Sequence, residues 1–210
     1  MGRYIGSSCK LCRREGMKLF LKGERCETAK CPIEKKERNM APGMHGWRRG
    51  RGSPYGIRLR EKQKVKRYYG IYEKQFMKYF RQAERIKGNT GETLLALLER
   101  RLDNVIWKLN FAPSHKSARQ LVAHGHVHVN GRKVDISNYS VKVGDKITLK
   151  GSDKSVKCVK EQLEKNPNFN VQPWLQLNPA KPEATVVAMP TRDEIQIPVE
   201  EQLVVEFCSR

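Results

Sequence analysis

The sequence predicts an α+β protein in two lobes, the first mostly helical and the second a helix pair on a small sheet. Three observations carry this. Apolar residues recur at helical spacing at Phe76, Tyr79, Phe80 and Ala83, and again from Leu94 to Leu109. The alternating run Val127-His128-Val129 is followed by Asn130-Gly131, a strong signal for a two-residue hairpin turn. Four of the six cysteines fall within the first 31 residues, in a segment too short to have much of a core of its own.

Composition bounds the function. The 210 residues hold 42 Lys and Arg against 22 Asp and Glu, a formal net charge of +20. Like charges repel, so such an excess points to a polyanionic partner, most simply a phosphate backbone. The charge is uneven. Residues 1–60 carry 16 basic against 5 acidic side chains, whereas residues 181–210 carry 3 against 6. No apolar run approaches the ~18 residues of a membrane span, and "MGRYIGSSCK" lacks the apolar core of a signal peptide. The expectation is a cytoplasmic protein with no membrane partner and with reduced thiols.

Along the chain, Cys9-x2-Cys12 and Cys26-x4-Cys31 stand thirteen residues apart. Two close pairs can complete a tetrahedron around one Zn²⁺, and an iron–sulfur cluster is the alternative. Lys10, Arg13, Arg14, Lys22, Arg25 and Lys30 would offset the thiolate charge. Cys158 and Cys208 are isolated and read as small buried hydrophobes. Residues 32–60, with "APGMHGWRRGRGSPYG", read as a loop able to lie along phosphates, with Trp47 and Tyr55 free to stack on bases.

Residues 58–87 read as helical with a break at Gly70, and "KGNTGE" as a linker whose Thr90 or Thr93 caps the next helix. Leu94, Leu98, Leu102, Val105 and Leu109 form one amphipathic stripe. Asp103 within it reads as a salt-bridge partner of Arg100 or Arg101. Ser114 caps a second helix, apolar at Ala118, Leu121 and Val122, with His115, Lys116, Arg119 and Gln120 on the opposite side. Gly125 stops it. Beyond the hairpin, "YSVKVGDKITLK" predicts a further strand pair turning at Gly144-Asp145. A candidate RNA face gathers Arg100 and Arg101, then Ser114, His115, Lys116, Arg119 and Gln120, then Arg132 and Lys133 at the hairpin tip. His124, His126 and His128 read as exposed or RNA-facing rather than metal-binding, since no carboxylate or cysteine stands beside them at ligand spacing.

The tail reverses the charge: Asp193 to Arg210 holds five acids and one base. Its apolar set, Ile195, Ile197, Val199, Leu203, Val204 and Phe207, predicts packing on the first lobe against Phe76, Tyr79 and Phe80. Its acids, Glu194, Glu200, Glu201 and Glu206, suit a basic protein surface. The predicted division is 1–91, then 92–192 with a core at 98–150, then 193–210 returning to the first lobe.

The run "ERRLDNVIWKLNFAPSHKSARQLVAHGHVHVNGRKVDISNYSVKVGDKITL" resembles the S-four RNA-binding module. With "MGRYIGSSCKLCRREGMKLFLKG", "APGMHG", "LREKQKVKRYYGI" and "IPVEEQLVVEFCSR", nearly the whole chain resembles the bacterial small-subunit ribosomal protein S-four family in its cysteine-containing form. It departs from the family pattern at Asn110, where glycine is usual, and at His115, where arginine is. The resemblance implies the S-four module inserted in a metal-binding lobe. It also implies a non-enzymatic constituent of the small ribosomal subunit that binds small-subunit rRNA early in assembly. It further implies a part in translational accuracy through small-subunit ribosomal protein five, and contact with mRNA near its entrance through Arg48, Arg49 and Arg51. Two other readings share the module. An RNA-modifying enzyme would need a catalytic domain, yet the 60 residues after 150 contain no histidine. A zinc-dependent regulator would need a base-reading helix beside the metal.

Overall fold

The computed structural model describes residues 4–46, 52–150, 153–166, 169–178 and 181–209. The chain divides into two compact units, Met1–Leu94 with Ile197–Arg210, and Leu95–Gln196.

In the first unit, α1 (Ser8–Glu15) ends at Gly16, whose φ of 69° only glycine adopts without strain. The chain turns back through a 3₁₀ turn at Gly23–Cys26 and forms a small core of Cys12, Leu19 and Leu21, with Leu11, Met17 and Ile33 against it. The Arg13 and Arg14 guanidinia donate to the carbonyls of Met40 (3.2 Å) and Pro42 (3.1 Å), holding the following loop to α1. The expected loop ends earlier than residue 60. Ser53 Oγ accepts the Gly56 N–H at 3.1 Å, and Pro54, with φ preset, opens α2 (Pro54–Tyr68). Buried Glu15 accepts from Arg60 (3.3 Å) and from Arg67, tying α1 to α2. After the break at Gly70, α3 (Glu73–Glu84) buries Phe76, Phe80 and Ala83 and half-buries Tyr79. The cap of α4 (Thr90–Glu99) is Asn89, whose Oδ1 accepts the Gly91 N–H at 3.0 Å, in place of the expected threonines.

The last helix, α8 (Glu201–Cys208), packs mainly on α2 rather than on the expected aromatic face of α3. Tyr55 and Phe207 rings lie 5.3 Å apart, Lys62 Nζ sits 4.7 Å above the Phe207 ring, and Arg58 Nε donates to Glu206 at 2.5 Å.

The second unit is a helix pair on a five-stranded sheet. The single stripe expected from Leu94 to Leu109 is two helices, because Arg101 is extended (φ −68°, ψ 134°) and bridges to Ser140. Leu102 and Asp103 N–H groups donate to the carbonyls of Tyr139 (2.8 Å) and Ser137 (3.2 Å). α5 (Leu102–Lys108) therefore restarts, and ends at Asn110 with a left-handed φ of 57°. α6 (His115–Ala123) follows Ser114, whose Oγ accepts the Ser117 N–H at 3.3 Å.

The strands are β1 (Val127–Val129), β2 (Arg132–Lys133), β3 (Lys146–Leu149), β4 (Leu175–Asn178) and β5 (Glu183–Val186). They run antiparallel in the order β2-β1-β3-β5-β4. The pair expected around Gly144-Asp145 supplies only β3. Its outer neighbour, β5, comes from residues whose role the sequence left open. Val127, Val129, Ile147, Leu149, Ala184 and Val186 alternate inward. They meet Leu102, Val105, Ile106 and Leu109 of α5, Ala118 and Val122 of α6, and the fully buried Trp174. Each Val, Leu or Ile among them contributes about 1.5–3 kcal/mol through burial. α7 (Asp153–Lys165) adds Val159 to this core but leaves Cys158 exposed, and Cys208 on α8 is half-buried, so neither lone cysteine is the buried hydrophobe expected. Among the described residues, no helix is long and apolar enough to cross a membrane.

Candidate nucleic-acid interface

On α6 the apolar side goes into the core through Ala118 and Val122, leaving Lys116 and Gln120 exposed, and Ser114 and Arg119 part-exposed. His115 departs from the predicted face. It is buried, its ring stacked on Trp107 with centroids 4.1 Å apart and planes 29° from parallel. Burial pushes its pKa from 6.5 down to about 3. Asp103 opposes that shift, and the cations Lys108, Arg119 and Arg101 add to it. Neutral His115 is therefore packing material, in the first turn of α6 where the helix faces α5.

Asp103 is the hub of this region. Its Oδ1 accepts from Arg101 Nε (3.1 Å) and the Asn104 N–H (3.0 Å), and its Oδ2 from Arg101 Nη2 (2.8 Å). Arg119 reaches the same Oδ2 with Nε at 3.0 Å and Nη2 at 2.7 Å. Arg101 is 0% exposed, so it is withdrawn from the predicted RNA face: a side chain without accessible surface cannot touch a phosphate. Arg100 is half-buried and donates from Nε to the Val141 carbonyl at 3.0 Å. The sequence suggested Asp103 pairs with Arg100 or Arg101. Its second partner, Arg119, lies sixteen residues on, and no local spacing pointed to it.

The hairpin tip is clamped. Asn130 (φ 50°) and Gly131 (φ 78°) make the turn. Asn130 Nδ2 donates to Asp145 Oδ1 at 2.8 Å, while Asn130 Oδ1 accepts the Lys146 N–H at 2.9 Å. Asp145 Oδ2 in turn accepts the Lys142 N–H at 2.7 Å. Arg132 and Lys133 are both exposed beyond this clamp. A Cβ on Gly125 would lie 2.0 Å from Lys133 Cε, so the lysine stem crosses the end of α6 and joins hairpin and helix in one basic surface.

In the first unit, Cys12, Cys26 and Cys31 are buried and Cys9 is half-buried. Burial pushes the Cys12 and Cys26 thiols up, and neighbouring thiols of the set push them further. Four soft donors close enough to feel one another have the chemistry of a zinc site. Yet among the described residues no group of three or more His, Cys, Asp or Glu side chains is positioned to hold a metal ion. A cavity of about 690 Å³ beside Cys9 is lined by Lys10, Arg13, Lys22, Arg25 and Arg38 among others. Arg48, Arg49 and Arg51 lie outside the described residues. In the tail, Glu194 accepts the Thr191 N–H at 2.8 Å and Glu206 pairs with Arg58 at 2.5 Å. Glu201 packs against Gly91, and Glu200 is exposed.

Residues 3–99 match the family described as ribosomal protein S4/S9 N-terminal domain, and residues 100–147 match the S4 domain. Over the full length of both chains, the protein is 55% identical to small ribosomal subunit protein uS4 of Halothermothrix orenii. It is 53% identical to that of Pelotomaculum thermopropionicum and 52% to that of Thermoanaerobacter sp. (strain X514), again over all 210 residues. The module that the family match covers is the one that carries the Asp103 hub, the basic side of α6 and the clamped hairpin, and the chain belongs to the bacterial ribosomal protein uS4 family.

Proposed function

We propose that this protein is a non-enzymatic constituent of the small ribosomal subunit, at work in the cytoplasm, where it binds small-subunit rRNA early in assembly. The observation that carries the proposal is end-to-end identity above 50% to proteins named for that subunit. A basic face built from two elements of the second unit supports it. Lys116, Arg119 and Gln120 on α6, with Arg132 and Lys133 on the hairpin, are the side chains offered to RNA. They are charges and amides on fixed backbone, suited to reading the shape and phosphates of a folded RNA rather than its sequence. Arg48, Arg49 and Arg51 are assigned to mRNA near its entrance. Exposed Glu200 is assigned to small-subunit ribosomal protein five, and accuracy of decoding to that contact. Cys9, Cys12, Cys26 and Cys31 are assigned to one Zn²⁺, which would supply the charge that buried thiolates need; an iron–sulfur cluster is the alternative.

Binding of the full chain to transcribed small-subunit rRNA across a salt series tests the RNA face. Each lost phosphate contact should lower the slope of log affinity against log salt by about one. Lys116→Ala and Lys133→Ala are expected to do so. Unchanged affinity and slope in both variants would place the RNA on another surface.

A further inference from the structure

We infer that Asp103 is a positioning residue for RNA binding: it holds the Arg119 guanidinium in one orientation for a phosphate, and buried Arg101 is the mount that fixes Asp103. This rests on α6 being an RNA-binding element and names how one of its arginines works.

Neutralising a buried aspartate needs one guanidinium, and Arg101 already supplies it. It meets both carboxylate oxygens, at 3.1 and 2.8 Å, from a position with no solvent access. The Asn104 N–H adds a third bond to Oδ1. Arg119 is then surplus to that need. It comes from a different helix and commits both Nε and Nη2 to Oδ2, yet 21% of its side chain remains exposed. It stands between Lys116 and Gln120, which are fully on the outer side of α6.

Electrostatics alone argues against this arrangement in a protein that binds phosphate. A carboxylate beneath a phosphate-facing arginine subtracts from the positive charge the RNA meets. What it adds is orientation. An arginine on a flexible stem loses rotamer freedom when it engages a phosphate, and one already held by two hydrogen bonds loses less. The planar fork then meets the phosphate oxygens in a set plane, which a lysine cannot reproduce. Rigid support beneath a contacting group is the general means of keeping such geometry.

The two explanations predict opposite signs for one substitution. Asp103→Asn makes the protein one unit more positive, so charge alone predicts tighter RNA binding, whereas positioning predicts a loss. The experiment measures full-length variants against transcribed small-subunit rRNA over a salt series, well below each melting temperature. Asp103→Asn is expected to weaken binding about tenfold, the scale of one charged hydrogen bond. Arg119→Lys is expected to fall as far as Arg119→Ala. The double variant Asp103→Asn with Arg119→Ala is expected to be no weaker than Arg119→Ala alone, because the aspartate acts through the arginine. Binding by Asp103→Asn as tight as the parent's or tighter overturns the inference, and so does full binding by Arg119→Lys. Should Asp103→Asn fail to fold, the Arg119 pair still decides, since that side chain is part-exposed. If Arg119→Ala costs nothing, the positioning role is lost, and Lys116→Ala then tells whether α6 still meets RNA. If Arg119→Ala costs affinity and lysine restores it, the RNA face stands and only the positioning role is lost.

Discussion

His115 is the residue whose chemistry the fold changes most. The sequence placed it among RNA contacts because it precedes Lys116 on a capped helix. The fold buries it against Trp107, and burial holds its pKa near 3 rather than 6.5. A histidine whose folded pKa lies below its unfolded value takes up protons more readily when unfolded. Its contribution to stability is whole above pH 6.5 and is lost as pH falls from there towards 3. Denaturant titrations of the full chain should show stability of the second unit falling between pH 6.5 and 5 with a slope approaching about 1.4 kcal/mol per pH unit. His115→Phe, which keeps an aromatic ring on Trp107, should flatten that slope. An unchanged slope would mean that another group titrates. Arg101 was misplaced for a related reason: charge in a sequence reads as surface, and only the partner carboxylate reveals that it is buried.

At the scale of elements, what was legible followed from local chemistry. The Ser114 cap, the Gly125 stop, the Asn130-Gly131 turn and the break at Gly70 each rest on a backbone preference of the residue itself. What was missed needed a distant partner. The stripe from Leu94 to Leu109 has unbroken helical period, yet the chain breaks at Arg101 because residues 137–141 lie beside it and take its backbone bonds. β4 and β5 are four residues each and pair mainly with each other and β3, too short to stand out by periodicity. The apolar side of α8 was evident, but not which helix it would meet. The structure also narrows the acids of the tail, since Glu206 pairs with Arg58 and Glu194 accepts the Thr191 N–H, while Glu200 is exposed. Glu200→Lys should therefore leave rRNA affinity intact and reduce co-purification of small-subunit ribosomal protein five. Loss of rRNA binding in a folded variant would instead place this helix against RNA.

For the whole molecule, the cysteine segment decides how much of the first unit stands without help. The described cluster around that segment is three buried residues, Cys12, Leu19 and Leu21, with three more packed on it. Domains that small commonly depend on a metal. Elemental analysis of protein purified without chelator is expected to find one Zn²⁺ per chain. Cys26→Ser should abolish binding and loosen residues 8–40 to proteolysis. Visible absorbance in anaerobic preparations would identify a cluster instead, and a metal-free protein as protease-resistant as the parent would remove the metal from the reading.

The first unit takes in residues 197–210, and α8 from that stretch packs on α2. Translation therefore completes the earliest lobe only after the second unit has been made. While the ribosome is still making residues 95–196, α2 waits without its covering helix, and Phe207 on that helix emerges well over a hundred residues after α2. The inserted unit waits less, but it too needs late material, because β3 lacks its outer neighbour until residues 183–186 are out. A nascent chain halted near residue 150 would expose a bare strand edge and an uncovered helix at once, the kind of surface that other chains and chaperones bind.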